Sequence, residues 1–348
     1  MKHRWPIALL GLLVVLAVGS FAAWRWVEGR MQQALGTFQT RMAAEGWTVT
    51  VGATARAGWP LAAELVLDDV SFAANGTALP LAAGYAATRV RLRLSLRDPG
   101  AAQILLEGPQ TVQFGTASPR TFTAETLTLT VPLTPGRPPE RFGLQGSSLR
   151  FGAPLDGLMV GLLEGQVEWP GGRLSDLRVS AEAITLPPAM HSPLGPHIAS
   201  ATAEAEFAGM VPQGATSPAA AAAGWRDSGG AITLRRIAVG WGSLGVSGEA
   251  TVRLDAALQP EATARLRLVG LAETLSALAD AHLIAPRAAQ TARIVLALMT
   301  HPAKDGEAPG VELPLTLQDR RLSLGAIPLG SIAELVWPDT PRAARVSP

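Results

Sequence analysis

Six residues, Gly240-Trp-Gly-Ser-Leu-Gly245, carry the glycine spacing of a dinucleotide-binding loop. In such a loop the glycines let a strand turn tightly into a helix whose N-terminus holds pyrophosphate. Here Val246, Gly248, Ala250, Val252 and Leu254 follow in strand alternation, so no helix opens, and no acidic residue stands about 20 positions beyond Gly245. The segment reads as a hairpin. His191 and His197 share a Pro-rich loop without metal-ligand spacing, His282 falls on a predicted helix, His301 in a loop and His3 at the N-terminus. Gly245-Val-Ser-Gly248 lacks the spacing of a nucleophile elbow, and Glu164 and Glu168 read as ordinary surface carboxylates on a strand. With no Cys in the chain, thiolate metal sites, iron–sulfur clusters, disulfides and cysteine nucleophiles are excluded. The expectation is therefore not an enzyme, with no catalytic residue, no metal and no cofactor.

The row Arg89, Arg91, Arg93 and Arg97 is the strongest candidate for recognition chemistry. Guanidinium groups bind phosphate bidentately, so these four are candidate contacts for anionic headgroups. The competing reading is a solvated strand face on which charge prevents edge pairing. Between them Val90, Leu92, Leu94 and Leu96 point the other way. Leu127, Leu129 and Val131 alternate with threonines in the same fashion, so these seven are the candidate lining of an apolar groove.

The elements that would position these residues follow from periodicity. Of 348 residues, 48% are hydrophobic and 16% charged, too apolar for a disordered chain; 36 Gly and 27 Pro show no collagen period. From residue 47 to about 269 the dominant period is two. Strands are expected at Trp47–Arg56, Ala62–Phe72, Ala86–Arg97, Ile104–Phe114, Gly143–Phe151, Gly165–Trp169, Leu174–Leu186, Ile232–Gly240, Leu244–Asp255 and Ala262–Val269. The fold class is mainly β: a large curved antiparallel sheet, groove- or taco-like, with one dry and one wet face. A small helical pair is expected over residues 271–299, split near Pro286, before a closing hairpin around Gln318-Asp319. The Ala-rich stretch within residues 212–226 reads as a surface excursion or short helix, a place where the domain could subdivide.

The N-terminus carries a different pattern. Lys2, His3 and Arg4 precede an apolar run from Ile7 to Trp24, whose 18 residues span about 27 Å as a helix, close to a bilayer's hydrocarbon thickness. Trp5 stands at one edge and Trp24 and Trp26 at the other, where indoles favour the headgroup level. Residues 1–27 thus read as a transmembrane anchor with a cytoplasmic N-terminus. A cleaved signal peptide would have a shorter apolar core, and Trp24-Arg25-Trp26 makes a poor mature start; a buried core helix would carry some polar face. A helical extension follows over 28–46, with Met31, Leu35, Phe38 and Met42 as one stripe and Gly46 ending it. Residues 47–338 form the β-rich domain and 339–348 a frayed tail. Beyond Arg4 the chain holds 27 basic and 28 acidic residues, so no basic surface awaits nucleic acid.

Ala44-Glu-Gly-Trp47, Ala57-Gly-Trp-Pro-Leu61 before a strand reaching Asp69-Val70, Val239-Gly-Trp-Gly, Val246-Ser-Gly, Leu254-Asp255, Leu315-Thr-Leu-Gln-Asp and Leu324-Gly-Ala-Ile-Pro-Leu-Gly330 together resemble the mainly alphaproteobacterial family catalogued as domain of unknown function 2125. In that family an aromatic and Arg often follow the Gly-aromatic-Pro element, where this chain has Leu61 and Ala62. More loosely, the repeated strands resemble AsmA-type envelope proteins, whose curved sheets form apolar grooves implicated in moving lipid. The resemblance implies a single-pass inner-membrane protein with its bulk in the periplasm. Its expected role is non-enzymatic: binding or conducting lipid for envelope maintenance, with phospholipid or another acyl-chain ligand as partner. The alternative is a structural or regulatory partner of an envelope protein complex, docking through a sheet edge or the Met31 stripe.

Overall fold

The computed structural model of the chain describes residues 4–337 except 45, 75–82, 96, 98, 115–117, 135, 153–156, 213–216, 286, 288–289, 291–292, 295–309 and 326, with side chains from residue 18 onward. Among these residues are three α-helices, α1 (Arg4–Ala44), α2 (Pro218–Asp227) and α3 (Leu271–Asp280). Seventeen strands accompany them: β1 (Trp47–Thr50), β2 (Thr54–Ala57), β3 (Ala62–Ala74), β4 (Ala83–Ser95), β5 (Ala101–Phe114), β6 (Arg120–Thr123), β7 (Thr126–Pro132), β8 (Arg141–Phe151), β9 (Leu158–Glu168), β10 (Asp176–Thr185), β11 (His197–Ala208), β12 (Ala231–Trp241), β13 (Leu244–Leu254), β14 (Pro260–Val269), β15 (Gly310–Gln318), β16 (Arg321–Leu324) and β17 (Ile327–Ser331). The fold is mainly β and antiparallel, as the period-two pattern predicts. The chain divides into two compact units. One holds residues 1–119 and 126–139, the other residues 120–125 and 140–341, so residues 212–226 lie inside the second.

In the first unit, β1 and β2 both pair with β3. The single strand expected over Trp47–Arg56 is broken at residues 51–53, where Gly52 meets the left-handed Asp69 (φ 52°) of β3 and the Gly52 N–H donates to the Asp68 carbonyl at 2.9 Å. β3, β4, β5 and β7 then follow in order. Register lines up Leu65, Leu92, Ile104 and Leu129 on one face, with Leu67, Val90 and Leu106 beside them. α1 covers this face: Met31 and Leu35 pack against the buried Leu65, Leu67, Val70, Ala87 and Val90, and the Phe38 and Phe72 rings are 6.3 Å apart. The stripe on α1 therefore closes its own sheet, as its spacing of four, three and four predicts. Gly46 (φ 85°) ends the helix in the left-handed conformation. Among the described residues no helix is long and apolar enough to cross a membrane; most side chains of the Ile7–Trp24 run lie outside them.

Glu28 of α1 is fully buried, and neither of its carboxylate oxygens accepts a hydrogen bond. The Arg56 guanidinium stands 3.9 Å away. Burial lifts the Glu28 carboxyl above the usual carboxylate range, and Arg56 and Arg25 pull it part of the way back.

In the second unit β6 pairs with β8, and β8 to β17 follow one another in sequence order. The Gly-rich segment 240–245 is a two-residue hairpin turn at Gly242-Ser243, as its flanking alternation predicts. The Ala-rich stretch is α2, capped by the Ser217 hydroxyl accepting from the Ala220 N–H at 3.2 Å, with Pro218 in its first turn. α2 holds the strand ends near Ala208 and Asp255 through Trp225 and Arg226. α3 sits at the opposite end, starting from Gly270 beside Ser243. The second helix of the expected pair lies largely outside the described residues. The hairpin around Gln318-Asp319 turns at Asp319-Arg320, both at positive φ.

Candidate functional site

The candidate headgroup arginines stand in a lattice of carboxylates. Register places Asp68, Arg89 and Glu107 side by side across β3, β4 and β5, and Glu64 opposite Arg93. Arg89 meets Asp68 at 2.7 Å, Arg91 meets Glu107 at 3.1 Å and Glu64 at 3.6 Å, and Arg93 meets Glu64 at 3.4 Å. Arg97 is exposed just beyond the end of β4. Three of the four are thus already neutralised within the sheet.

The seven candidate groove residues divide in the same unit. Val90 and Leu92 lie under α1, Leu94 shares their face, and Leu127, Leu129 and Val131 extend it onto β7. Leu127 and Val131 are buried. Leu96 lies outside the described residues.

The second unit presents a larger apolar face, formed by register across eight strands. One row runs Leu144, Gly165, Val179, Ala203, Ile237, Gly248, Leu266, Leu313 from β8 to β15. A parallel row runs Phe142, Val167, Leu177, Ala205, Leu234, Ala250, Ala264, Leu315, and another Gly146, Leu163, Ala181, Ala201, Val239, Val246, Leu268, Val311. Leu149, Val160, Ile184, Ile198, Trp241 and Leu244 continue the series. A bulge at Arg235–Arg236 of β12 keeps Leu234 and Ile237 on the same face. At about 4.8 Å between strands and roughly 6.8 Å between rows, the face measures some 34 by 20 Å, about 700 Å².

This face is incompletely buried. Leu144, Val179, Ile237, Leu266 and Leu313 are all partly accessible, and the smaller first unit holds more of the buried apolar residues than the second. Monomers seldom leave apolar patches above a few hundred Å² uncovered without using them. Among the described residues α2 and α3 reach only the two strand ends of this unit.

The reverse face is polar and charge-paired. Arg178 meets Glu204 at 3.7 Å, Arg265 meets Glu249 at 3.7 Å, Arg141 meets Glu168 at 3.3 Å, and Arg235 bonds Asp176 and meets Glu206 at 3.3 Å. A cleft of about 420 Å³ on this side is lined by Thr251, Arg253, Glu261, Thr263, Thr316 and Gln318. Glu164 and Glu168 lie on this face four residues apart, about 13 Å along the strand, too far to share a proton. His197 begins β11, its Nδ1 3.2 Å from the Thr185 hydroxyl, and His191 is exposed in a loop. Among the described residues no three His, Asp or Glu side chains are grouped to hold a metal.

Reasoning from sequence missed this face because of β11 in its middle. Between Ile198 and Phe207 that strand is built of Ala, Ser, Thr and Glu, without the branched apolar residues that mark a strand. Its alternation of small and polar residues was the available sign.

Over residues 24–333 the chain matches the family described as an uncharacterized protein conserved in bacteria, domain of unknown function 2125, and it belongs to that family. The match opens at Trp24, where the apolar run ends. No curated protein and no solved structure matches the chain.

Proposed function

We propose that this is a single-pass inner-membrane protein whose β-rich bulk lies in the periplasm, and that the apolar face of its second unit binds lipid acyl chains in the service of envelope maintenance, without enzymatic chemistry. The observation that carries this reading is the incompletely buried apolar face, spanning about 700 Å² in all, across β8 to β15. The twist inherent to antiparallel strands curves such a sheet, and a curved apolar face is a groove. Acyl chains laid along it gain about 0.8 kcal/mol per buried methylene. The anchor rests on the apolar run Ile7–Trp24, through which the backbone of α1 is continuous.

Native mass spectrometry of the detergent-extracted full chain tests the lipid reading; retained phospholipid is the expected result. Alkaline phosphatase fused after residue 338 is expected to be active, which reports export.

A second reading, a docking partner in an envelope complex, is favoured by β17. Each of its residues is exposed, and among the described residues it pairs on one side only, with β16. A stoichiometric protein partner in place of lipid in the same spectra would select that reading.

A further inference from the structure

We propose that the turn between β2 and β3 is a second membrane contact, with Trp59 and Leu61 seated at the boundary of headgroups and acyl chains beside the point where α1 leaves the bilayer. This rests on the anchor reading above. The chain ties this turn to the helix at a defined depth. The Trp24 indole N–H donates to the Ala57 carbonyl at 3.3 Å, and the Phe21 and Trp59 rings meet edge to face at 6.2 Å. Phe21 lies three residues inside the end of the apolar run, about 4.5 Å toward the bilayer centre along the helix. Trp59 is thereby carried to the depth that indoles favour.

The exposure pattern points the same way. Phe21, Trp59 and Leu61 are 49%, 47% and 55% exposed, three large apolar side chains open at one end of the unit. The turn holds the latter two outward, since the Leu61 and Ala62 N–H groups both donate to the Gly58 carbonyl and Ala62 behind them is buried. Arg25 is exposed directly after Trp24, and Arg30 lies over the Trp26 ring at 5.3 Å farther along α1. Basic groups at this level favour an anionic lipid surface. The consequence is a first unit held against the membrane by two points instead of swinging from one helix.

The absence of Cys makes the test direct. Spin labels placed singly by Leu61→Cys, Trp59→Cys, Val18→Cys and Gln103→Cys in the full chain, reconstituted into phosphatidylcholine and phosphatidylglycerol vesicles, report depth through their relaxation by oxygen and by a water-soluble nickel chelate. Val18, 63% exposed, reports the anchor, and Gln103, exposed on β5, reports water. The expected result is that labels at 18, 59 and 61 are reached by oxygen and shielded from nickel while the label at 103 is not. A label at 18 in lipid with those at 59 and 61 open to nickel would overturn this proposal and leave the anchor standing. A label at 18 open to nickel would overturn the anchor reading and this proposal with it.

Discussion

Leu266→Asp separates an acyl-chain groove from an ordinary core. Leu266 is partly accessible and lies between Gly248 and Leu313 on β14, the seventh of the eight strands of this face. An acyl chain crossing the strands there loses contact for about three methylenes, about 2 kcal/mol, or roughly a 30-fold fall in affinity. The effect on folding should be smaller than that of a core truncation, because part of the side chain already faces outward. Leu65→Ala is the comparison: Leu65 is fully buried beneath α1, and emptying its place should cost about 2–5 kcal/mol. Both variants are purified as full chains in detergent, their melting temperatures recorded and bound phospholipid counted per protein by native mass spectrometry. Leu266→Asp should lose lipid with a small shift in melting, and Leu65→Ala should melt much lower while its folded fraction keeps lipid. Lipid retained by Leu266→Asp together with a melting loss equal to that of Leu65→Ala would refute the reasoning, because the face would then be closed by protein.

Other expectations follow from the electrostatics and the turns. Glu28→Gln removes a buried charge that no hydrogen bond offsets, and should raise stability at neutral pH by about 1 kcal/mol. Because the folded carboxyl sits above its ordinary range, the folded state holds the extra proton, and wild-type stability falls as pH rises from the ordinary glutamate range through the folded value. The advantage of Glu28→Gln should accordingly shrink on acidification, which thermal melts at several pH values would reveal; an advantage constant with pH would count against a strained carboxylate. Glu64→Gln strips the shared partner from Arg91 and Arg93 and should cost about 1 kcal/mol, discounted because both guanidinium groups are partly solvated and less at high salt; equal urea midpoints at low and high salt would argue against it. Gly270→Ala puts a Cβ into the Ser243 carbonyl at φ 71° and should destabilise by about 2 kcal/mol or more, measured by chemical denaturation.

Strand content was legible wherever apolar and polar residues alternate strictly. Val90 to Ser95 and Thr126 to Val131 face as their period predicts, and the 240–245 glycines turn a hairpin. Legibility failed where composition hid the period. β11 is built on Ala, Ser, Thr and Glu, and the first half of β9 is an unbroken apolar run in which Met159 and Leu162 face outward. β6 and β17, at four and five residues, are too short to show a period.

What the sequence by itself determined is local: which residues of a strand point together, where glycine and proline turn the chain, the stripe that seats α1, and the 18-residue apolar run before Arg25. These depend on neighbours two to four positions apart, so a single strand or helix carries the whole signal. Only tertiary structure decided which strands lie side by side. The arginine row reads from sequence as free charge, yet Asp68 and Glu64 reach it from β3 and Glu107 from β5 through antiparallel register. Likewise Leu144, Val179, Ile237, Leu266 and Leu313 are scattered along more than half of the second unit's chain and form one row only because eight strands agree in register. Register is a property of pairs of strands, and a slip of one residue in any of them would turn that strand's leucines to the charged side.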